Sequence, residues 1–198
     1  GRSVLSMMLV GAALSGVALM GTWGSLQWAA PWAGQLAEAQ PGVTHAREWT
    51  QIIIGIGAIK GTILAAVIGH TFGRRVTYAG MCLLSLLSVL AFYRLNDSYN
   101  AMFLVTAFIA GGLTASFYGW LPLYLPELFP TKVRATGQGF SFNFGRILAA
   151  AGSLQTGALM AQFGGSYPDA CSVMVLIYLV GVVVIWLAPE TKGLELLE

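Results

Sequence analysis

Two cations interrupt long apolar stretches of this chain. Lys60 and Arg146 each lie near the middle of such a stretch. Arg146 is 12 residues beyond Arg134, about 18 Å along a helix at about 1.5 Å per residue. An ionised side chain at that depth in a membrane is costly and normally faces a cavity or a partner. The chemistry open to it is anion binding, and the planar fork of Arg146 suits a carboxylate gripped through two parallel hydrogen bonds. The eight acids, Glu38, Glu48, Asp97, Glu127, Asp169, Glu190, Glu195 and Glu198, all fall in connections or at run ends. The countercharge for Lys60 and Arg146 must therefore come from further helices, a bound anion or a substrate. A structural arginine held by backbone carbonyls is the competing reading.

The neighbours of Arg146 are informative. Gly139, Asn143, Arg146, Ala150, Ser153 and Gly157 recur at three- and four-residue spacing and share one helix face. A ligand cavity would be lined this way, and so would a tight helix–helix seam. Gly111, Thr114 and Tyr118 align similarly, so Tyr118 offers a hydroxyl either to a ligand or to packing. Gln27 ends the first run. The substrate-binding set read from the sequence is thus Arg146, Lys60, Asn143, Tyr118 and Gln27. Gly57 and Gly61, on either side of Lys60, have the spacing that lets a neighbouring helix come close. Nothing points to an enzyme: His45 and His70 fall on opposite sides of the expected membrane, and no nucleophile–base pair or metal-ligand spacing occurs. No cofactor or metal is expected. Cys82 and Cys171 lie inside apolar runs and read as buried small hydrophobes.

The elements that hold these residues are set by composition. The chain is 57% hydrophobic and 9% charged, against about 25% charged for a soluble domain. Runs of about 20 apolar residues place six membrane spans at roughly 4–22, 50–69, 76–93, 101–125, 135–161 and 171–188. The expected fold is an all-α membrane protein. Between the first two spans the longest loop, 23–49, carries Trp23, Trp28, Trp32 and Trp49, which read as an interfacial aromatic belt. One side of the membrane would hold Arg2, Arg74, Arg75, Lys132, Arg134 and Lys192, and the other Arg47 and Arg94. That six-to-two asymmetry predicts a multi-pass protein of the inner or plasma membrane with both ends cytoplasmic. Gly1 reads as the start of a fragment or processed segment.

Residues 126–146, PELFPTKVRATGQGFSFNFGR, separate two of these spans, and PETKG, Pro189 to Gly193, follows the last. This pair of motifs resembles the loop between helices ten and eleven, and the segment after helix twelve, of major facilitator superfamily transporters. The GRR of Gly73 to Arg75 resembles the end of the signature between helices eight and nine, with His70 and Thr71 where that signature has its aspartate and first arginine. The resemblance covers the whole chain as a C-terminal six-helix half, residues 1–198, whose N-terminal six-helix partner is absent. It implies a secondary active transporter working by alternating access around a midplane site, with proton coupling open. It also implies a cytoplasmic gate made by Glu127, Arg134, Arg74, Arg75 and Glu190. The cargo would be a small organic solute, above all an organic anion. The helix-seven glutamine pair of sugar porters is missing, and Pro122 stands where those proteins often carry tryptophan. A sugar transporter is the alternative, and a non-transporting membrane sensor or a polytopic membrane enzyme is a reading of another class. Partners would be the substrate, the lipid bilayer and the missing half, with no nucleic acid.

The orientation has a direct check. In intact cells an impermeant thiol reagent should label Gln40→Cys, Asp97→Cys and Tyr167→Cys but not Arg74→Cys, Lys132→Cys or Lys192→Cys. Labelling of either lysine replacement from outside would overturn the topology.

Overall fold

The computed structural model describes residues 2–198; Gly1, where the sequence places a fragment's start, lies outside the described residues. The all-α class expected from composition is what the chain adopts. Helices α1 (Val4–Gly24), α2 (Ala29–Glu38), α3 (Ala46–Phe72) and α4 (Arg74–Leu95) make up the first half. Helices α5 (Ala101–Ala115), α6 (Phe117–Tyr124), α7 (Arg134–Gln162), α8 (Tyr167–Met174) and α9 (Ile177–Val184) follow. Side-chain caps start three of them: Ser3 accepts from the Ser6 amide at 3.1 Å, Asn100 from that of Phe103 at 3.0 Å and Ser166 from that of Asp169 at 3.3 Å, each satisfying an N–H that has no partner inside its helix. Five stretches are long and apolar enough to cross a membrane: Val4–Glu38, Ala46–Phe72, Arg74–Leu95, Ala101–Leu128 and Tyr167–Leu187. The remaining expected span, the fifth at 135–161, corresponds to α7. Its 29 residues would reach about 43 Å, but Arg134, Arg146 and its many small polar residues keep it from being equally apolar.

The expected loop at 23–49 is largely helical instead. Ala29–Glu38 form α2, with Pro31 in its first turn, where a missing N–H does no harm. Nor does Trp32 sit in an interfacial belt. It is 4% exposed and packs on Phe92, Tyr93 and Phe103 with ring centroids 5.1–5.4 Å apart. Ala29, Trp32, Ala33 and Leu36 share one face of the short helix, and that face closes over the end of the bundle. Trp23 and Trp49 remain exposed.

Small residues set the helix contacts. Along α7, Gly137, Ser141, Gly145, Ala149, Gly152 and Thr156 are buried and form the seam with α1. A methyl group on Gly145 would come within 2.9 Å of the Gly16 amide nitrogen, and one on Gly11 within 2.9 Å of Ser141 Cβ. Hydroxyls along the seam find backbone acceptors: Ser141 donates to Gly137 at 2.8 Å and Met8 at 3.2 Å, and Thr156 to Gly24 at 2.6 Å. Helix α3 meets α5 in the same way, with Gly57 and Gly61 against the backbone of Phe108 and Gly112, as their spacing predicts. Buried tyrosines fasten α4 to the α1 region, Tyr78 donating to the Leu14 carbonyl at 2.8 Å and Tyr93 to that of Ser25 at 2.6 Å. Cys82 and Cys171 are free and buried beside these tyrosines, as expected of small hydrophobes.

Because Gly61 abuts backbone that cannot move aside, Gly61→Val should lower stability by about 1–3 kcal/mol or more, read as an earlier thermal transition in detergent. Gly55→Ala, at a position with open space around it, should leave the transition unchanged. Equal effects of the two would contradict close α3–α5 contact.

Candidate functional site

The Arg146 stripe is not the seam with α1. The seam with α1 is the neighbouring face of α7, and the stripe itself is open. Nothing lies within 4 Å of a methyl placed on Gly139 or Gly157, and Asn143, Arg146 and Ala150 are exposed. Leu19, Trp23, Gln27, Tyr118, Phe142, Arg146 and Ser153 line a cavity of about 820 Å³. A second cavity shares Tyr118 and Phe142 and adds Asn143; a third shares Trp23 and Gln27 and adds Thr22 and Gln51. Together they form one concave wall of α1, α3, α6 and α7.

Polar groups on this wall are partly committed to one another. Gln27 Nε2 donates to Ser153 Oγ at 2.8 Å, holding the end of α1 against α7. Asn143 Nδ2 donates to the Gly139 carbonyl at 2.8 Å, and its Oδ1 faces an Arg146 N–H at 3.4 Å. That long contact is the one hydrogen bond of Arg146 among the described residues, where it has no carboxylate partner. Its remaining N–H donors are available to a ligand. Of the three residues expected to align near Tyr118, Gly111 and Thr114 are buried in helix packing, and Tyr118 alone reaches the cavity.

Four of the five expected binding residues, Arg146, Asn143, Tyr118 and Gln27, thus come together. Lys60 does not join them. It lies nine residues after Gln51, which at about 100° per residue puts it on the opposite side of α3. There it sits 5.6 Å from the Phe108 ring centroid and lines a separate apolar cavity. Sequence reasoning missed Gln51 and assigned Trp23 to the membrane interface. A signal for Gln51 exists: with Thr62, 11 residues on, it falls within about 20° of one face of α3.

The five residues expected to form a gate meet at the other end of the bundle. Arg74 is 5% exposed and grips Glu127 through Nε at 3.0 Å and a terminal nitrogen at 2.5 Å. Thr191 donates its hydroxyl to the same carboxylate. Glu190 accepts from the amides of Arg74 at 3.0 Å, Arg75 at 3.1 Å and Lys192 at 3.0 Å. Its charge therefore caps the N-terminus of α4, where unpaired N–H groups and the helix dipole favour an anion. Gly73, at φ 97°, makes the turn that presents those amides. Arg75 and Arg134 hold backbone carbonyls rather than acids: Arg75 that of Ala188 at 2.7 Å, and Arg134 those of Pro126 at 3.1 Å and Leu197 at 2.7 Å. Burial alone would raise the Glu190 carboxyl, but the amide donors outweigh it and hold the group below its usual range.

The comparisons agree with this geometry. Residues 39–198 match the family described as sugar (and other) transporters. The chain belongs to that family, within the major facilitator superfamily, which is one of transporters rather than enzymes. A probable 4-methylmuconolactone transporter of Cupriavidus pinatubonensis is 31% identical over 153 residues, 74% of this chain and 34% of that protein. A cis,cis-muconate transport protein of Acinetobacter baylyi is 33% identical over 139 residues, 68% of this chain and 32% of that protein. The proton:xylose symporter XylE has the same fold, with a TM-score of 0.72 at 16% identity over 94% of this chain and 45% of that one. The chain thus spans about a third of these relatives and under half of that structure. The fold is that of half a major facilitator bundle, in a multi-pass membrane protein.

The Glu190 clasp makes a pH prediction. A carboxylate whose pKa is lowered on folding contributes stability above its unfolded value and loses it as pH falls through the folded one. Glu190→Gln should therefore melt earlier than the parent at pH 7, and the gap should close as pH drops below about 4.5. A gap that is absent at neutral pH, or that persists unchanged into acid, would contradict the assignment.

Proposed function

We propose that this chain forms the C-terminal half of a secondary transporter that carries a small carboxylate-bearing solute by alternating access. The observation that carries the reading is Arg146: a cation with no acid partner among the described residues, on an open stripe of small and polar residues, facing a cavity of about 820 Å³. Arg146 binds the carboxylate through its fork. Asn143 and Tyr118 flank it, and Gln27, Gln51 and Ser153 supply neutral hydrogen-bonding groups toward the other end. The names of the muconolactone and muconate relatives support an organic acid or its close kin as cargo. Lys60 belongs to no part of this site.

The faces of α3 and α7 that border the Arg146 cavity are covered by an N-terminal six-helix half, which completes the cavity. Both ends of the chain lie in the cytoplasm, and the Arg74–Glu127–Glu190 cluster closes the inner gate when the outer side is open. The cavity wall described here holds no carboxylate, so proton coupling would draw on an acid in the other half. A neutral sugar is the second reading. The family match and the xylose-symporter fold favour it, as do the amide side chains of Gln27 and Gln51.

Uptake by the full-length protein separates the two. Monocarboxylates, muconate-like and sialate-like acids should compete for transport, and hexoses should not. Arg146→Lys keeps the charge but loses the fork, so affinity should fall. Arg146→Gln should fall further, by about tenfold or more, since it replaces charged hydrogen bonds with neutral ones. Hexose competition without acid competition, or intact acid transport by Arg146→Gln, would replace the organic-anion reading with the sugar one.

A further inference from the structure

Lys60 occupies a setting that transport at the Arg146 cavity leaves unexplained. It stands 12 residues from the Phe72 end of α3, about 18 Å, near the middle of a hydrocarbon layer about 30 Å thick. Its ammonium lies over the Phe108 ring at 5.6 Å, and it has no hydrogen bond or ion pair among the described residues. The cavity it lines, about 440 Å³ between α3, α4 and α5, is walled mainly by apolar residues, among them Leu64, Ile68 and Leu84, with Thr77 and Ser116 its other polar side chains. Gly80 in its wall has nothing within 4 Å of a methyl placed there, whereas Gly57 and Gly61 are pressed against backbone. Gly80 therefore keeps space open rather than permitting helix contact.

We propose that this groove is a second binding site, for a lipid-soluble monocarboxylate that enters from the bilayer, lays its apolar body along Leu64, Ile68 and Leu84, and sets its carboxylate on Lys60. Charge complementarity selects this occupant. A phospholipid can fill the groove with acyl chain, but its phosphate stays at the surface, too far to neutralise Lys60. A second copy of this chain supplies no acid at that depth, because every described acid lies in a connection or near a helix end. A single carboxylate on an apolar body satisfies both the cation and the walls, since an ionised group in hydrocarbon needs a partner.

The test uses the full-length protein in liposomes with three photoreactive diazirine probes: a long-chain carboxylic acid, the matching alcohol, and a phospholipid carrying the same chain. Labelling sites are mapped by mass spectrometry. The acid should label the α3–α4 groove about tenfold more strongly than the alcohol, the advantage expected of a charge-assisted contact. That advantage should vanish in Lys60→Met, survive in Lys60→Arg, and fall in Gly80→Phe, which fills the groove and keeps the charge. Comparable labelling by acid and alcohol, or undiminished acid labelling in Lys60→Met, would overturn the site. So would phospholipid labelling that excludes the acid, or zero-length carbodiimide coupling of Lys60 to a carboxylate of the protein's other half. The Arg146 reading is scored separately by uptake, so either can fail alone.

Discussion

Helices surrounded by lipid gain little hydrophobic free energy from meeting one another, so close backbone contact through small residues holds this bundle together. The α1–α7 seam is the central case. Gly145 and Gly152 leave no room for a side chain where Ser15, Gly16 and Met20 approach, and that contact fixes the rotation of α7 about its own axis. Arg146 is the next residue after Gly145, so about 100° of turn carries it out of the seam and into the open cavity. The position of the cation follows from glycines that never touch a ligand. The α3–α5 contact does the same for α3: seating Gly57 and Gly61 on Gly112 turns Gln51 toward the cavity wall and Lys60 away from it.

A different constraint governs the charged end. Four backbone N–H groups at a helix start need acceptors, and at α4 Glu190 supplies one from a segment 116 residues away. The same segment holds Arg75 through the Ala188 carbonyl and Tyr124 through that of Pro189. Arg74 reaches across to Glu127 from a nearly buried position. Three segments of the chain, at the start of α4, between α6 and α7, and after α9, converge on a few hydrogen bonds. The cluster is held by few bonds, which suits the gate role proposed for it.

Much of this was legible in the residues alone. Apolar runs of membrane length marked the spans, and the PELFP and PETKG segments marked the charged end, because those features depend on local composition. The small polar stripe on α7 was visible by spacing, but spacing could not separate an open face from a seam. Two stripes of small residues run along that helix about 100° apart, and only packing against α1 decides which is buried. The helix at Ala29–Glu38 was hidden by the tryptophans of the 23–49 stretch, whose amphipathic rings suit an interface as well as a core. Trp32 is buried because Phe92, Tyr93 and Phe103, distant in sequence, provide its pocket. Lys60 and Arg146 read as partners because depth along a helix is countable from sequence, whereas the direction a side chain faces in the bundle is not.

The proposed function depends on the cavity recognising a carboxylate by its charge. Calorimetric titration of the purified full-length protein with cis,cis-muconate and with its uncharged dimethyl ester tests it most directly, because the two share a carbon skeleton and differ in ionisation. Binding of the acid should be saturable and at least about tenfold tighter than that of the ester. Equal affinities, or tighter binding of the ester, would contradict it.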